Sequence, residues 1–459
     1  MAAEDPREVE VVSPAEPTRR EQPGIVAIPP PRLQASNRGA TPVIRHAEEG
    51  PGFLHASRIR LVTLRAERPG PVAQLVFKTS EPWQPHGGQV RLLCRSANPM
   101  TLFSPESHEA LTNTAWDADR ARSAIVDIVD AAEAAFDDGW LVHPDDDDES
   151  LTTKRLRSVY MGGAGVVDAL HRLARRGFVD LHRDYVPYLE ESAVAPMDWG
   201  DGDDTRSLSF GETGIRLVLQ RLAPSTANLD RLTELINANV ESKHCELMSG
   251  SPGTILAGRE VGVDVTPSIE WLRSQRDEDG LWTQHGVGES PARILGAAHG
   301  FAGCALALGD AEGVSDPLRR YAVVEDGLVN WPAAAGSDLL DHGDKRVRVQ
   351  WCHGAPGIVA TLGSLLDEDL ALGGGELTWR AGPLKKGAGL CHGTAGNGYA
   401  FLTLLERTGD ELWLERARAF AMRALEQRQP ERYSLWTGCL GVALYLADCV
   451  DGAGALPIP

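Results

Sequence analysis

From about residue 100 onward, apolar residues recur at helical spacing. Ala124, Ile125, Ile128, Val129 and Ala132 fall on one face of a helix. Leu229, Leu232, Leu235, Ile236 and Val240 do the same, as do Leu414, Ala417, Phe420, Ala421 and Leu425. Runs of alternating β-branched residues are nearly absent, so the spacing predicts an all-α domain over residues 100–459. Residues 1–99 show no sustained helical period, only short apolar runs near residues 59–64 and 72–77. With Pro29, Pro30 and Pro31 in a row, this part reads as a largely disordered N-terminal extension.

A longer period overlies the helical one. A Gly-x-x-Gly unit recurs at Gly162–Gly165, Gly211–Gly214, Gly250–Gly253, Gly300–Gly303, Gly354–Gly357, Gly393–Gly396 and Gly438–Gly441. A short apolar stretch follows each unit, and Glu278-Asp279-Gly280-Leu281 is echoed by Glu325-Asp326-Gly327-Leu328. A period of about 45 residues accommodates two helices and their loops. Glycine ahead of a helix permits a positive φ and close approach of neighbouring elements. Seven such starts predict an α/α toroid, with seven inner helices ringed by seven outer ones and the glycine-rich ends lining one mouth. An open helical solenoid is the alternative. Closure is expected because the residues with chemistry gather at these units, as at one shared site.

Charge sharpens the boundary. Residues 1–99 hold 13 of the 45 basic and 10 of the 65 acidic residues, so the remainder carries 32 and 55. After Asp5 the next aspartate is Asp117. Met100 precedes the first clean helical pattern, which raises the expectation that it is the true start and that residues 1–99 are an over-extended reading frame. A real flexible extension fits as well. The net charge of −20 argues against a nucleic-acid partner. No apolar run reaches the length of about 18 residues that a membrane span needs. The N-terminus has no apolar signal region, and seven cysteines do not make a disulfide framework, so a cytoplasmic protein with reduced thiols is expected.

Three glycine units carry reactive side chains at their leading edge: Trp351-Cys352-His353-Gly354-Ala355-Pro356-Gly357, Leu390-Cys391-His392-Gly393-Thr394-Ala395-Gly396 and Ala298-His299-Gly300-Phe301-Ala302-Gly303. Cys352, Cys391 and His392 make a zinc (Zn2+) set. Two thiolates and an imidazole suit a tetrahedral ion and leave a fourth position open, as in catalytic sites. Buried structural cysteines are the alternative. His353 is expected beside the site, and Cys94, Cys245, Cys304, Cys439 and Cys449 as small reduced hydrophobes. His299 suits a general acid or base, or a structural histidine. Glu246 and Arg348 could line the same mouth, or sit on the surface. The acidic stretches 145–148 and 198–204 match no calcium-loop template and are expected to be solvated.

These motifs resemble the lanthionine synthetase C-like proteins. The resemblance extends through Glu246-Leu-Met-Ser-Gly-Ser-Pro-Gly253 and Leu435-Trp-Thr-Gly-Cys-Leu-Gly441, spanning about residues 105–450. It implies an α/α toroid with zinc at its mouth, ligated by Cys352, Cys391 and His392. His299 falls at the family's acid–base histidine and Arg348 at its arginine near the metal. Two departures stand out: Glu246 lies where cyclase members carry Asp, and His353 replaces the frequent Tyr. The implied activity is addition of a Cys thiol to dehydroalanine or dehydrobutyrine, forming lanthionine bridges in a precursor peptide dehydrated by a separate enzyme. Glutathione addition to dehydroamino acids in proteins, and a non-catalytic zinc-containing binding module, are the alternatives. A prenyltransferase-like toroid would need an Asp ligand beside one Cys and an aromatic funnel, which 6% aromatic residues do not favour.

Overall fold

In the computed structural model, which describes residues 60–64, 73–77, 101–146, 154–199, 202–285, 290–336 and 347–458, every Gly-x-x-Gly unit opens a helix. The first glycine of each unit is the residue just before α2 (Gly163–Arg175), α4 (Glu212–Leu222), α6 (Ser251–Val261), α8 (Phe301–Leu308), α10 (Ala355–Leu362), α12 (Thr394–Thr408) and α14 (Cys439–Asp451). A partner helix precedes each: α1 (Ala118–Ala134), α3 (Val186–Val194), α5 (Thr226–Ala238), α7 (Thr266–Ser274), α9 (Ser315–Tyr321), α11 (Glu368–Ala381) and α13 (Glu411–Gln427).

The even-numbered helices form a closed circuit. α2 packs on α4, and contact passes through α6, α8, α10 and α12 to α14, which packs back on α2. An open solenoid would leave the first and last units apart, so the fold is an α/α toroid. Among the inner helices α8 and α14 are buried nearly all round, and in α14 every residue from Cys439 to Cys449 is buried; α2 and α4 carry arginines on an outward face. The outer helices are one-sided: α1 buries Ala121, Ala124, Ile125, Ile128, Val129 and Ala132 and exposes much of the rest. The main core lies between the two rings and includes Trp331, Trp351, Tyr399, Phe401 and Phe420.

The glycines serve space more than φ: the expected close approach is found at every unit, whereas the expected positive φ is not. Of the seven residues before inner helices only Gly354 has a positive φ, at 114°; the others are ordinary extended backbone. In none of these helices does the N-cap residue, a glycine, cap with its own side chain. Instead the preceding loop folds back, and carbonyls seven residues upstream accept from the helix starts: Leu156 from the Gly163 N–H, Ile294 from Phe301 and Gly387 from Thr394, each at 2.9 Å. A Cβ on the second glycine of each unit would collide with the carbonyl oxygen six residues earlier, at Val159, Leu208, Leu247, Ala297, Trp351, Leu390 and Leu435 in turn. Only glycine lets the loop lie that close.

The Glu-Asp-Gly-Leu echo is a turn. Residues 325–328 close a short antiparallel hairpin of β3 (Val323–Glu325) and β4 (Leu328–Asn330), with Asp326 and Gly327 both at positive φ. In the other copy the Asp277 N–H bonds the Leu281 carbonyl at 2.8 Å. The Asp-Gly pairs marked these turns in the sequence. Each turn delivers a buried tryptophan whose indole N–H caps the preceding outer helix: Trp282 bonds the Leu272 carbonyl and Trp331 the Leu318 carbonyl, both at 2.7 Å.

Ring closure has its own ion pair. Arg176, at the end of α2, bridges Asp448 and Asp451 of α14 at 2.8 Å each. Burial pushes the Asp448 carboxyl up to about 6, against the Tyr399 hydroxyl and Arg176, which pull it down. A carboxyl with a raised folded pKa takes up its proton more readily folded than unfolded, so folding gains stability as pH falls through about 6. From pH 7 to pH 5 the wild type should gain about 1 kcal/mol over Asp448→Asn, since a tenfold difference in proton affinity between the two states is worth about 1.4 kcal/mol. Urea denaturation of both at the two pH values measures this; an unchanged difference would show that Asp448 titrates normally.

The chain divides into two units, Met1–Pro99 and Met100–Pro459. In the first, the two apolar runs pair as an antiparallel ladder of β1 (Arg60–Leu64) and β2 (Ala73–Phe77), with Val62 opposite Leu75. The sequence reading assigned no strands there. The remainder of that unit, Met100 and Cys94 lie outside the described residues, and with them the readings of disorder and of a Met100 start. No helix among the described residues is long and apolar enough to cross a membrane.

Candidate metal centre

The loops before the inner helices join hand to hand at one mouth. The residue two before each first glycine is Tyr160, Ser209, Met248, Ala298, Cys352, Cys391 or Trp436. Cys352 N–H donates to the Cys391 carbonyl (3.1 Å), Cys391 to Trp436 (3.0 Å), Trp436 to Tyr160 (3.4 Å), Tyr160 to Ser209 (3.0 Å) and Ser209 to Met248 (3.1 Å). The Leu247 N–H continues to Ala298 at 3.1 Å. Gly296 then lies so close to the Cys352 carbonyl that a Cβ would strike it, completing the collar. Equivalent repeat positions therefore place the two cysteines side by side, although they stand 39 residues apart in the chain.

Ligand atoms of Cys352, Cys391 and His392 all lie within 4.8 Å of one another. The two cysteines are 7% and 5% exposed, and His392 is half-buried. The Cys352 thiol is held well below its ordinary pKa, first by hydrogen bonding with Cys391 and then, against burial, by His392 and the charge of His353. The other described cysteines contrast. Burial pushes Cys245 up to about 11 and Cys439 up to about 12, and raises Cys304 and Cys449 as well. All four are buried and free, as small reduced hydrophobes should be. Two sulfur donors and one imidazole at this separation fit a tetrahedral zinc ion with a fourth position left over.

His299 occupies the position next to its first glycine, as His353 and His392 do in their units. Its Nδ1 lies 2.9 Å from Glu246 Oε2. Glu246 is 1% exposed, and its two oxygens also accept from the Met248 N–H (2.9 Å) and the Ser249 N–H (2.5 Å). Burial opposes its charge, but the His299 hydrogen bond, the histidine's charge and the two amides prevail, so the carboxyl stays below its ordinary range. A carboxylate can only accept, so this fixes Nδ1 of His299 as the protonated donor. Glu246 is thus no surface residue.

Arg348, half-buried, begins the Cys352 loop, and its carbonyl accepts from the Asn330 amide at 3.1 Å. Three supporting side chains escaped the sequence reading. Asn330 also accepts from the Ala355 N–H at 2.8 Å, capping α10, and Asn397 donates to the Val349 carbonyl at 2.8 Å. Gln350 Nε2 donates to Cys352 Sγ at 2.9 Å. Asn397 stands in the Cys-His-Gly-Thr-Ala-Gly-Asn motif; Asn330 and Gln350 carried no signal. The acidic stretches are partly structural, another correction. Asp146 is buried and accepts from Arg432 and Thr437, and Asp198 accepts from the Arg157 and Ser158 amides. Residues 147, 148, 200 and 201 lie outside the described residues.

The sequence model of a family described as Lanthionine synthetase C-like protein matches residues 156–457. A Danio rerio protein named Glutathione S-transferase LANCL1 is 35% identical over 310 residues, covering 62% of this chain and 68% of that protein. The Arabidopsis thaliana LanC-like protein GCL1 is 33% identical over 231 residues, 45% of this chain and 48% of its own length, so the match spans about half of it. Among solved structures, nisin cyclase aligns with a TM-score of 0.49 at 17% identity, covering 72% of this chain and 94% of that one.

Proposed function

Because the chain belongs to the lanthionine synthetase C-like family, we propose that it joins a thiol to a dehydrated amino-acid side chain, with zinc held by Cys352, Cys391 and His392. The observation that carries this is the convergence of those three donors within 4.8 Å at one mouth. Zinc bound there supplies an open position at which a thiol loses its proton near neutral pH.

His299 manages that proton. With Nδ1–H held by Glu246, Nε2 takes up the proton the thiol gives up. The sulfur bonds to the β-carbon of dehydroalanine or dehydrobutyrine, and the double-bond electrons move toward the α-carbon and carbonyl oxygen. His299 then returns the proton to the α-carbon. Arg348 is the group for the enolate oxygen that forms between these steps. The sum is addition of S–H across C=C, with nothing oxidised.

The thiol has two candidate sources. In a dehydrated precursor peptide supplied by a separate dehydratase, an internal cysteine gives lanthionine or methyllanthionine. Alternatively, glutathione adds to a dehydroamino acid, and the glutathione S-transferase name of the zebrafish relative favours this second source. Mass spectrometry of a dehydrated peptide treated with zinc-loaded protein separates them. Loss of the free thiol at constant mass marks a ring, and gain of one glutathione marks transfer. No turnover on either substrate with zinc bound would leave only a binding module and overturn the proposal.

Glu246→Gln keeps the shape but removes the charge that orients His299. Turnover should fall about 10^2- to 10^4-fold, the usual worth of a placed acid or base, with zinc content unchanged. Steady-state rates alongside metal analysis check this; wild-type turnover would show that His299 works without its carboxylate.

A further inference from the structure

The side chain of Gln350 has no part in the mechanism above, yet its amide meets the sulfur of Cys352. Nε2 donates to Cys352 Sγ at 2.9 Å. The residue is held rigidly for this. Its backbone N–H donates to the His353 carbonyl (3.1 Å), and its carbonyl accepts the His353 N–H (3.2 Å). This reciprocal pair closes a tight loop over residues 350–353. Cys352 within that loop is anchored in turn to the Cys391 carbonyl at 3.1 Å. The amide is half-buried and the sulfur buried, so water competes weakly for the bond.

We propose that Gln350 is a positioning residue of the metal centre, donating its side-chain N–H to the Cys352 thiolate and thereby setting how strongly that sulfur gives charge to a bound divalent metal. The inference rests on the reading of Cys352, Cys391 and His392 as ligands. A thiolate that accepts a hydrogen bond is aimed and its negative charge is partly drawn off. The metal is then left more electron-poor and a stronger acid toward whatever enters the fourth position. Of the two cysteines, it is Cys352 that this amide reaches.

Cobalt(II) is the probe, because its sulfur-to-metal charge-transfer band reports the thiolate directly. Wild type, Gln350→Met and Gln350→Glu are loaded with cobalt, and zinc affinity is measured in parallel by chelator competition. Methionine preserves length and bulk without a donor, and glutamate turns the donor into a charged acceptor. Both variants should keep the wild-type helical content and melting behaviour in the metal-free state, because the backbone pair with His353 remains. The charge-transfer band should move to lower energy in Gln350→Met and further in Gln350→Glu. In Gln350→Met, zinc affinity should fall about 10- to 100-fold, because the loss of aim outweighs the extra charge the sulfur can give. A wild-type band and wild-type affinity in both variants would overturn the inference while leaving the ligand set intact. Failure of the wild type itself to bind cobalt or zinc would overturn the ligand set, and this inference with it.

Discussion

Replacing Cys391 with alanine is expected to strip the protein of zinc and abolish thioether formation while leaving the toroid folded. Cys391 contributes to the site through its sulfur and to the collar through its backbone. The backbone bonds, from its N–H to Trp436 and from Cys352 to its carbonyl, survive the substitution. What disappears is one of three protein donors. Apparent zinc binding energies of about 10–16 kcal/mol spread over four ligands put each at roughly 3 kcal/mol, or about 10^2- to 10^3-fold in affinity. Wild type should retain about one zinc per chain after dialysis, and Cys391→Ala close to none. Elemental analysis, a thioether assay and a melt of the metal-free proteins check the three parts. His299→Ala is the complement: it should keep zinc and lose turnover. Stoichiometric zinc in Cys391→Ala would mean that the metal sits elsewhere.

The largest effect on stability is expected from Gly357→Ala, a change of one methyl group. A Cβ at this position would drive into the carbonyl of Trp351, with the Trp351 Cα only 3.0 Å away. The obstacle is backbone, so no rotamer change relieves it. Trp351 cannot retreat either: it is fully buried and packs on Trp436 with ring centroids 4.5 Å apart. Overpacking of this kind costs roughly 3 kcal/mol or more. Because Cys352 is the next residue, zinc affinity should fall together with stability. Gly202→Ala is the control, since nothing lies within 4 Å of a Cβ there, and its effect should stay within about 0.5 kcal/mol. Urea denaturation of the two variants gives the comparison. Equal stability would show that the loop does not lie against the start of α10.

The convergence of the candidate metal donors was legible in the sequence because Cys352, Cys391 and His392 belong to a repeat. Cys352 and Cys391 occupy the same register in successive units, so any structure that superposes the units brings their sulfurs together. His299 shares the register of His392 and was visible for the same reason. Glu246 was harder to read. Local sequence leaves a carboxylate free to be surface or core, and its role depends on His299 lying across the Leu247–Ala298 hydrogen bond. Gln350 and Asn330 gave no sign at all: amides have no characteristic spacing, and each acts on a group whose position the collar sets.

Two sequence expectations held only in part, for a physical reason that the linear pattern conceals. The glycines suggested positive φ, but six of the seven first glycines are ordinary extended backbone. The need for glycine comes from a carbonyl six residues upstream, and it exists only once the loop has folded back. Asp146 looked solvated among other aspartates, yet it is buried against Arg432 and Thr437 from the last unit, nearly 300 residues away.

Helix periodicity and the sevenfold glycine register, both local and repetitive properties, determined from the sequence alone that this chain would build paired helices and where its sulfur and imidazole donors would stand within each pair. Whether the units close was decided only in three dimensions, by α14 packing on α2 and Arg176 joining them. The same is true of the charge on Glu246 and the bond from Gln350, because burial and hydrogen-bond geometry are properties of neighbours in space, which a chain acquires only by folding.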